Sequence, residues 1–186
     1  MVIVVESRRK KLSSLEKTWP SALIFDLTSK AAEPWVRFSP FYPHGGIPVP
    51  NSPGVFAQSV EGLWQGLKVF EKEGIDPGKW AITNMSGIKR GGRSRGAILG
   101  HRFSVGSDIL LSYREARVLI YLPAYRKLLN GQLASNVEQL RKHLAQGPLV
   151  LLDYETNGDV EDLSRPLSHA ALVKLHLEGS WPQTDM

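Results

Sequence analysis

Residues 55–73 read VFAQSVEGLWQGLKVFEKE, and this stretch contributes most to the prediction of the fold. Its apolar residues recur at spacings of four and three, which places them on one face of a helix. Gly74 follows directly and is a common type of helix terminator. The sequence therefore predicts one long helix whose apolar face packs into the core. The residues of that face are Phe56, Val60, Leu63, Leu67 and Phe70.

The same predicted helix carries a polar stripe, because Glu61, Gln65 and Lys68 follow one another at spacings of four and three. At about 100° per residue, this stripe lies nearly opposite the apolar face. One interpretation is a solvated face on which the three side chains contact one another. The other is a ligand cleft, because Trp64 flanks the stripe and its ring suits stacking on a base.

Shorter elements lie on either side of this helix. Buried strands are predicted at 2–5, 22–27 and 149–152, and a proline- and glycine-rich loop is predicted at 33–54. Helices outnumber strands and do not alternate with them regularly. This pattern indicates the α+β class, mainly helical, with helices packed around a small mixed sheet. The further helices are predicted at 109–122, with a stop at Pro123, and at 124–130, 135–146 and 168–177.

The 186 residues are predicted to form a single domain, because this length and a composition of 42% apolar and 22% charged residues are ordinary for one. The sequence has no cysteine, which excludes disulfides, thiolate metal sites and a cysteine nucleophile. No run approaches the eighteen or so apolar residues of a membrane helix, and no secretory signal is recognised. We therefore expect a cytoplasmic protein without membrane contact. The net charge of +5 favours anionic partners.

The segment 89–95, KRGGRSR, is a candidate phosphate-binding loop. Its glycines let the backbone approach an anion, and the guanidinium forks of Arg90, Arg93 and Arg95 bind phosphate oxygens bidentately. Two other interpretations stay open, namely a flexible solvated loop and a short RNA-binding segment of the RGG type.

Five carboxylates follow the strand predicted at 149–152. Side chains at the end of a buried strand are frequently functional, because a rigid scaffold positions the loop that carries them. A solvated connection has the same composition, so both interpretations stay open. Among the scattered histidines, His44 and His169 are candidates for contact with a ligand. The five carboxylates are Asp153, Glu155, Asp159, Glu161 and Asp162.

Two motif-like segments surround the start of the long predicted helix: residues 38–43 read FSPFYP, and residues 59–70 read SVEGLWQGLKVF. In this order they resemble the motifs F-S-N-F-Y-P and S-x-E-H-x-x-Q-x-x-K-F of the YbiA-like (NADAR) N-glycosidase family. Weaker similarity extends a family-like core over residues 37–179, in which residues 157–159, NGD, are similar to the family's W-G-D. Residues 1–30 match nothing in the family and are interpreted as an N-terminal extension.

The chain departs from the family pattern at three places. Gly62 stands where the family has a histidine after the motif glutamate, and Asn157 replaces the tryptophan of W-G-D. A further tryptophan is missing near Ser107 and Asp108. Because base-stacking groups have changed, the identity of the leaving base stays open.

The resemblance implies hydrolysis of a ribosyl C1–N bond, without a metal or another cofactor. The implied substrate is a ribose phosphate or ADP-ribose, free or attached to nucleic acid, such as a ribosylamino-pyrimidine phosphate or ADP-ribosyl-guanine. Departure of the base leaves positive charge at C1, which a carboxylate stabilises. The resemblance gives the catalytic roles to Glu61 and Asp159, with Asp153 or Glu155 as substitutes. The implied substrate-binding residues are Ser39, Tyr42, Trp64, Gln65, Lys68, Arg90, Arg93, Arg95 and Asn157.

Two alternative functions stay open. One is a nucleotide- or ADP-ribose-binding module that has lost catalysis. The other is a nucleic-acid-binding protein that uses Arg90, Arg93 and Arg95. Only the enzyme requires the Glu61 carboxylate, so Glu61→Gln separates it from a binding module. Strongly salt-dependent binding would indicate the nucleic-acid-binding protein.

Overall fold

The computed structural model describes residues 2–183 and confirms the α+β class. The prediction of a single small mixed sheet is wrong, because the strands within residues 2–183 form three separate sheets, one parallel and two antiparallel. In chain order, the strands are β1 (Ile3–Ser7), β2 (Leu23–Asp26), β3 (Ile47–Pro48), β4 (Phe56–Ala57), β5 (Lys68–Phe70), β6 (Ile98–Arg102), β7 (Leu110–Leu111) and β8 (Leu149–Asp153). The α-helices are α1 (Leu12–Thr18), α2 (Val60–Leu67), α3 (Tyr113–Ala116), α4 (Leu122–Asn130), α5 (Ala134–Leu144) and α6 (His169–Leu177).

Contacts between residues divide the chain into two compact units. Unit 1 comprises Met1–Ser39 and Leu129–Met186, and unit 2 comprises Pro40–Leu128. The organisation of residues 1–186 as one domain stays a prediction. Within the described residues, no helix has the length and apolar character needed to cross a membrane.

The parallel sheet of unit 1 is built from both ends of the chain, in the order β1–β8–β2. β8 reads LVLLD and is buried throughout, as is typical of a parallel strand that is covered on both faces. Leu149 aligns with Ile3 of β1 on one side and with Leu23 of β2 on the other. The three predicted strands are therefore confirmed. Residues 1–30, which the family resemblance leaves unmatched, contribute two strands of this sheet.

Helices complete unit 1. Leu15 of α1 packs with Val150 and Leu152 of β8, and Trp19 lies against the same cluster. The helices predicted at 135–146 and 168–177 are confirmed as α5 and α6. Ser168 begins α6, because its hydroxyl accepts a hydrogen bond from the Ala171 N–H at 3.1 Å.

In unit 2, the stretch at 55–73 is divided among β4, α2 and β5, so the prediction of a single long helix is wrong. Ser59 begins α2 by accepting a hydrogen bond from the Gly62 N–H at 2.9 Å. At Lys68 the backbone becomes extended (φ −66°, ψ 135°), and β5 pairs with β6. The predicted apolar face is buried from Val60 onward, whereas Phe56 is 56% exposed. Local spacing does not show the end of α2, because the partner of β5 lies further along the chain.

The helix predicted at 109–122 begins later, because β7 pairs with β6. After β7, α3, a π-helical segment at Arg117–Tyr121 and α4 follow without a break. The predicted stop at Pro123 is therefore wrong. Proline removes a backbone donor and crowds the preceding helical turn, and the wider π turn before Pro123 gives its ring more room.

Candidate functional site

The polar stripe of α2 is buried, so its interpretation as a solvated face is wrong. Glu61, Gln65 and Lys68 are only 9%, 4% and 9% exposed. Gln65 Nε2 donates to Glu61 Oε1 at 2.8 Å, and Gln65 Oε1 accepts the Arg90 backbone N–H at 3.0 Å. Buried polar groups are costly unless they are hydrogen-bonded. These two bonds therefore fix the orientation of the Glu61 carboxylate.

Strand pairing adds a histidine to this stripe, because Lys68 in β5 lies opposite His101 in β6. Burial lowers the pKa of the Lys68 ammonium; the charge of Glu61 opposes this effect, and the charges of Arg90 and Lys89 add to it. Burial and the charge of Lys68 lower the pKa of His101 to about 3. The His101 imidazole is therefore neutral at physiological pH.

Trp64 belongs to an aromatic wall that it forms with Tyr113 and Tyr121. The half-buried Trp64 ring lies over His101, with ring centroids 3.8 Å apart. Tyr113 and Tyr121 meet the same indole edge-on at 6.0 and 5.8 Å. Such rings suit stacking with a planar ligand. The buried stripe thus has the aromatic border that the ligand-cleft interpretation requires.

Gly62 occupies the position where the resembled family has a histidine, and it has no room for a side chain. A Cβ here would lie 2.7 Å from the backbone oxygen of Lys79 and 2.9 Å from Ser59 Oγ. Backbone atoms do not yield to so close an approach, so a histidine does not fit at this position. His101 supplies the imidazole next to the stripe instead.

The basic segment at 89–95 contains both buried and exposed arginines. Arg90 is 6% exposed, and its guanidinium donates to the backbone oxygen of Lys68 at 2.6 Å. Arg90 thereby stabilises the end of α2, so the interpretation of the segment as a flexible solvated loop is wrong at this residue. Arg95 pairs with Glu73 at 2.7 Å, and Arg93 is exposed. Phosphate binding by this segment stays a prediction, and Arg93 and Arg95 are its accessible guanidinium groups.

The proline-rich loop that precedes α2 is attached to the first turn of that helix. The Glu61 N–H donates to Pro40 O at 2.8 Å. Tyr42 follows in the loop, and its ring lies 4.7 Å from the ring of His44. Ser39 belongs to unit 1 and is 1% exposed.

In unit 1, Asp153 at the end of β8 is the partner of a buried histidine. Its Oδ2 lies 2.9 Å from His169 Nδ1 and accepts a hydrogen bond from Ser168 Oγ at 2.8 Å. His169 Nε2 lies 2.8 Å from Leu27 O, so both ring nitrogens face oxygen acceptors and the imidazole is a cation. Burial alone would lower the pKa of His169, but the charge of Asp153 raises it. Burial alone would raise the pKa of Asp153, but the charge of His169 lowers it.

Asn157 holds the rest of the acidic loop. Its Nδ2 donates to Asp162 O at 3.1 Å, and its Oδ1 accepts the Asp159 N–H at 2.9 Å. Asp159 is exposed, and its Oδ1 accepts the Glu161 N–H at 2.9 Å. The Asp159 carboxylate therefore faces solvent, whereas the Asp153 carboxylate is buried in an ion pair.

Comparison with known proteins identifies the family of the chain. The model of a family of unknown function, DUF6939, matches residues 7–173. The chain belongs to this family. The match begins in β1 and ends in α6, so the DUF6939 region includes most of the segment that the YbiA-like resemblance leaves unmatched. Searches of curated proteins and of solved structures returned no match.

This DUF6939 chain carries its predicted site residues in both units. Hydrogen bonds join Glu61, Gln65, Lys68 and Arg90 within unit 2, and Trp64 lies beside them over His101. The catalytic roles that the resemblance gives to Glu61 and Asp159 stay predictions. The other predicted residues of unit 2 are Tyr42, Arg93 and Arg95, and those of unit 1 are Ser39, Asp153, Asn157 and Asp159.

The sequence of this DUF6939 member does not identify His101 as a site residue. Its place opposite Lys68 depends on β5, which local spacing predicts as helix. Tyr113 and Tyr121 are missed for a related reason, because the π-helical segment between α3 and α4 alters the helical spacing there.

Proposed function

We propose that this chain hydrolyses the N-glycosidic bond of a ribose-phosphate or ADP-ribose substrate, as a divergent relative of the YbiA-like (NADAR) family. One observation carries the proposal: Glu61, Gln65 and Lys68 are buried together beside Trp64. Burying a carboxylate and an ammonium group lowers stability, and proteins typically tolerate such unfavourable burial at functional sites. The same three polar residues carry the resemblance to the family motif.

The chemistry requires a carboxylate close to C1 of the ribose. As the base departs, positive charge develops at C1, and the Glu61 carboxylate stabilises this charge and activates the attacking water. Gln65 holds the carboxylate through its 2.8 Å hydrogen bond, so the group is oriented before the reaction begins. Lys68 offers its amine to oxygens of the substrate from the end of the same stripe.

Asp159 and Asp153, the two carboxylates of unit 1 to which the resemblance gives a catalytic role, differ in their surroundings. Asp159 is exposed, and its Oδ1 holds a local turn by accepting the Glu161 N–H. Asp153 neutralises the buried His169 cation, and a buried counter-ion is costly to remove from its partner. In this proposal Asp153 therefore has a structural role, and Arg93 and Arg95 hold the phosphate.

A nucleotide-binding module without catalysis is the second candidate, because stacking of a base on the rings of Trp64, Tyr113 and Tyr121 would require no acid. Nucleic-acid binding through the segment 89–95 has less support. Arg90 is buried there, and its guanidinium donates to backbone oxygens.

The test is incubation of the protein with a panel of N-ribosyl substrates, followed by mass spectrometry of the released base. The panel contains ribosylamino-pyrimidine phosphate, DNA that carries ADP-ribosylated guanine, and free ADP-ribose conjugates. We expect release from at least one of them, and Glu61→Gln should slow that release by about 10²- to 10⁴-fold. Glutamine keeps the shape of the side chain and can still bond to Gln65, so the variant should fold normally.

Glu138→Gln is the matched control, because it removes an exposed carboxylate from α5 and should leave the rate unchanged. Full activity in Glu61→Gln, or no release from any member of the panel, would contradict the enzyme. ADP-ribose binding that survives Glu61→Gln without any turnover by the wild type would favour the binding module.

A further inference from the structure

His101 in β6 is a buried polar side chain whose hydrogen bonds the fold does not supply. It is 2% exposed, and within residues 2–183 neither Nδ1 nor Nε2 has a hydrogen-bond partner. Burying a polar group without a hydrogen bond is unfavourable, and native structures satisfy nearly all such groups. An exception of this kind therefore calls for a physical explanation.

The surroundings of His101 keep it neutral. Burial and the charge of Lys68 lower its pKa to about 3, so the imidazole has one N–H donor and one nitrogen acceptor. Since neither nitrogen has a partner among the described residues, no protein group there selects which of them carries the proton. The imidazole can therefore adapt to either a donor or an acceptor on a ligand.

Trp64 lies against this imidazole, with ring centroids 3.8 Å apart and ring planes inclined by 39°. The indole offers a larger surface for stacking than an imidazole and is half-buried, with Tyr113 and Tyr121 edge-on to it at 6.0 and 5.8 Å. Because His101 is 2% exposed, a ligand reaches the imidazole when surrounding side chains, the half-buried indole among them, move aside.

We propose that Trp64 and His101 recognise the nucleobase of the substrate: the base stacks on the indole, and its polar edge hydrogen-bonds to the imidazole. This assignment rests on the proposed function, because it names the part of the substrate that leaves. Aromatic stacking combined with hydrogen bonds to a base edge is the usual means by which proteins bind an unstacked base. A neutral imidazole suits an uncharged base better than a phosphate, which favours cations.

The first experiment measures stability and nucleoside binding of the full chain. His101→Leu removes both ring nitrogens and should raise Tm by about 2 °C or more, because no buried polar group is left without a partner. The same variant should weaken nucleoside binding by about fivefold or more. Trp64→Leu should weaken it by about tenfold through loss of stacking. Calorimetry with adenosine, guanosine, cytidine and uridine measures binding, and ribose 5-phosphate, which lacks a base, should not distinguish wild type from His101→Leu.

His143→Leu is the matched control, because His143 in α5 also has a buried ring nitrogen without a partner among the described residues. It also has aromatic neighbours, Phe25 and Trp35, but lies in unit 1. Nucleoside binding should be unchanged in this variant. Wild-type protein that binds none of the four nucleosides would overturn the assignment. Unchanged binding by His101→Leu, or a lower Tm or failure to fold in that variant, would also overturn it.

Nitrogen-15 NMR tests the same assignment in the wild type. Free His101 should exchange between its two neutral tautomers, and nucleoside binding should fix one of them; a single fixed tautomer without ligand would contradict the assignment. Nucleoside binding that depends on His101, without release of any base from the panel, would reject the glycosidase and leave the base site standing. Base release at an unchanged rate and KM in His101→Leu would reject the base site and leave the glycosidase standing.

Discussion

At the scale of single residues, two buried histidines experience opposite electrostatic environments. Burial and the charge of Lys68 lower the pKa of His101 to about 3, so this residue is neutral in the native state. His169 is also buried, which alone would lower its pKa, but the charge of Asp153 raises it and keeps the ring protonated. Burial is thus the main cause of the lowered pKa of His101, whereas at His169 the charge of Asp153 outweighs burial and raises the pKa.

These histidines predict that the free energy of unfolding has a maximum at about pH 6.5, the pKa of histidine in an unfolded chain. Below this pH the unfolded chain gains a proton at residue 101 that the native state does not bind, so stability falls toward pH 3. Above it the native state keeps the proton of His169, so stability falls as pH rises through the raised pKa. The acid slope approaches about 1.4 kcal/mol per pH unit, because the pKa of His101 is as low as about 3.

Urea unfolding between about pH 5 and pH 8.5 measures both slopes. His101→Leu should flatten the acid side of the maximum, and His169→Asn should flatten the alkaline side. A variant that keeps the wild-type slope would show that its histidine is not the titrating group.

The ion pair in unit 1 makes a second prediction at this scale. Asp153→Asn should lower the free energy of unfolding by about 3–5 kcal/mol at neutral pH, because it leaves the buried His169 cation without its counter-ion. Asp159→Asn is the control, since Asp159 is exposed and its loss should change stability by about 0.5 kcal/mol or less. Urea unfolding of the two variants decides the matter, and equal stabilities would contradict the structural role of Asp153.

At the scale of elements, α2 depends on Gly66, which lets Trp80 approach the helix. A Cβ on Gly66 would overlap the Trp80 indole, which is itself 6% exposed. Glycine is unfavourable in a helix when only local preference is considered. Here the close approach of Trp80 offsets that cost, so packing rather than propensity explains the glycine.

Gly66→Ala should therefore lower the free energy of unfolding by about 1–3 kcal/mol, because the added methyl group displaces the Trp80 indole. Gly74→Ala is the matched control in the same unit, because no atom lies within 4 Å of a Cβ at that position. Its effect should be about 0.5 kcal/mol or less. Similar unfolding midpoints for the two variants in urea would mean that Trp80 does not constrain α2.

Local pattern predicts a helix at 55–73, but α2 spans only Val60–Leu67, so neither end is predicted correctly. The apolar spacing that starts at Val60 is confirmed by the burial of Val60, Leu63 and Leu67. β5 is paired with β6 at residues 98–102. A partner so far along the chain does not affect the local spacing of apolar residues, so this spacing cannot predict the strand. For the same reason, the polar stripe is predicted as a set of residues, whereas its burial and its contact with His101 are not.

At the scale of the whole molecule, the sheet of unit 1 joins residues from both ends of the chain. The apolar runs predict each of its strands, but they do not predict that β8 lies between β1 and β2. Parallel strands require long connections, so their pairing cannot be read from neighbouring residues. The segment at 1–30 therefore looks like an extension in the sequence, although it supplies both outer strands of the sheet.

Two hydrogen bonds define how β1 faces β8. The Leu149 N–H donates to Val2 O, and the Arg8 N–H donates to Asp153 O. Backbone groups alternate in direction along a strand, so the N–H groups of residues 4, 6 and 8 face β8. Those of residues 5 and 7 face away from β8, on the outer edge of the sheet.

Proline substitutions at neighbouring positions test whether this edge strand is required. Val4→Pro removes a donor to β8 and should destabilise unit 1 by about 3 kcal/mol. Val5→Pro removes an N–H on the outer edge, where proline is tolerated, so its effect should be clearly smaller. Urea unfolding measures both, with hydrogen exchange at Leu149 and Leu151, whose N–H groups face β1, as the local readout in β8. Equal losses would contradict the strand register, and no loss in Val4→Pro would mean that β8 does not need β1 as a partner.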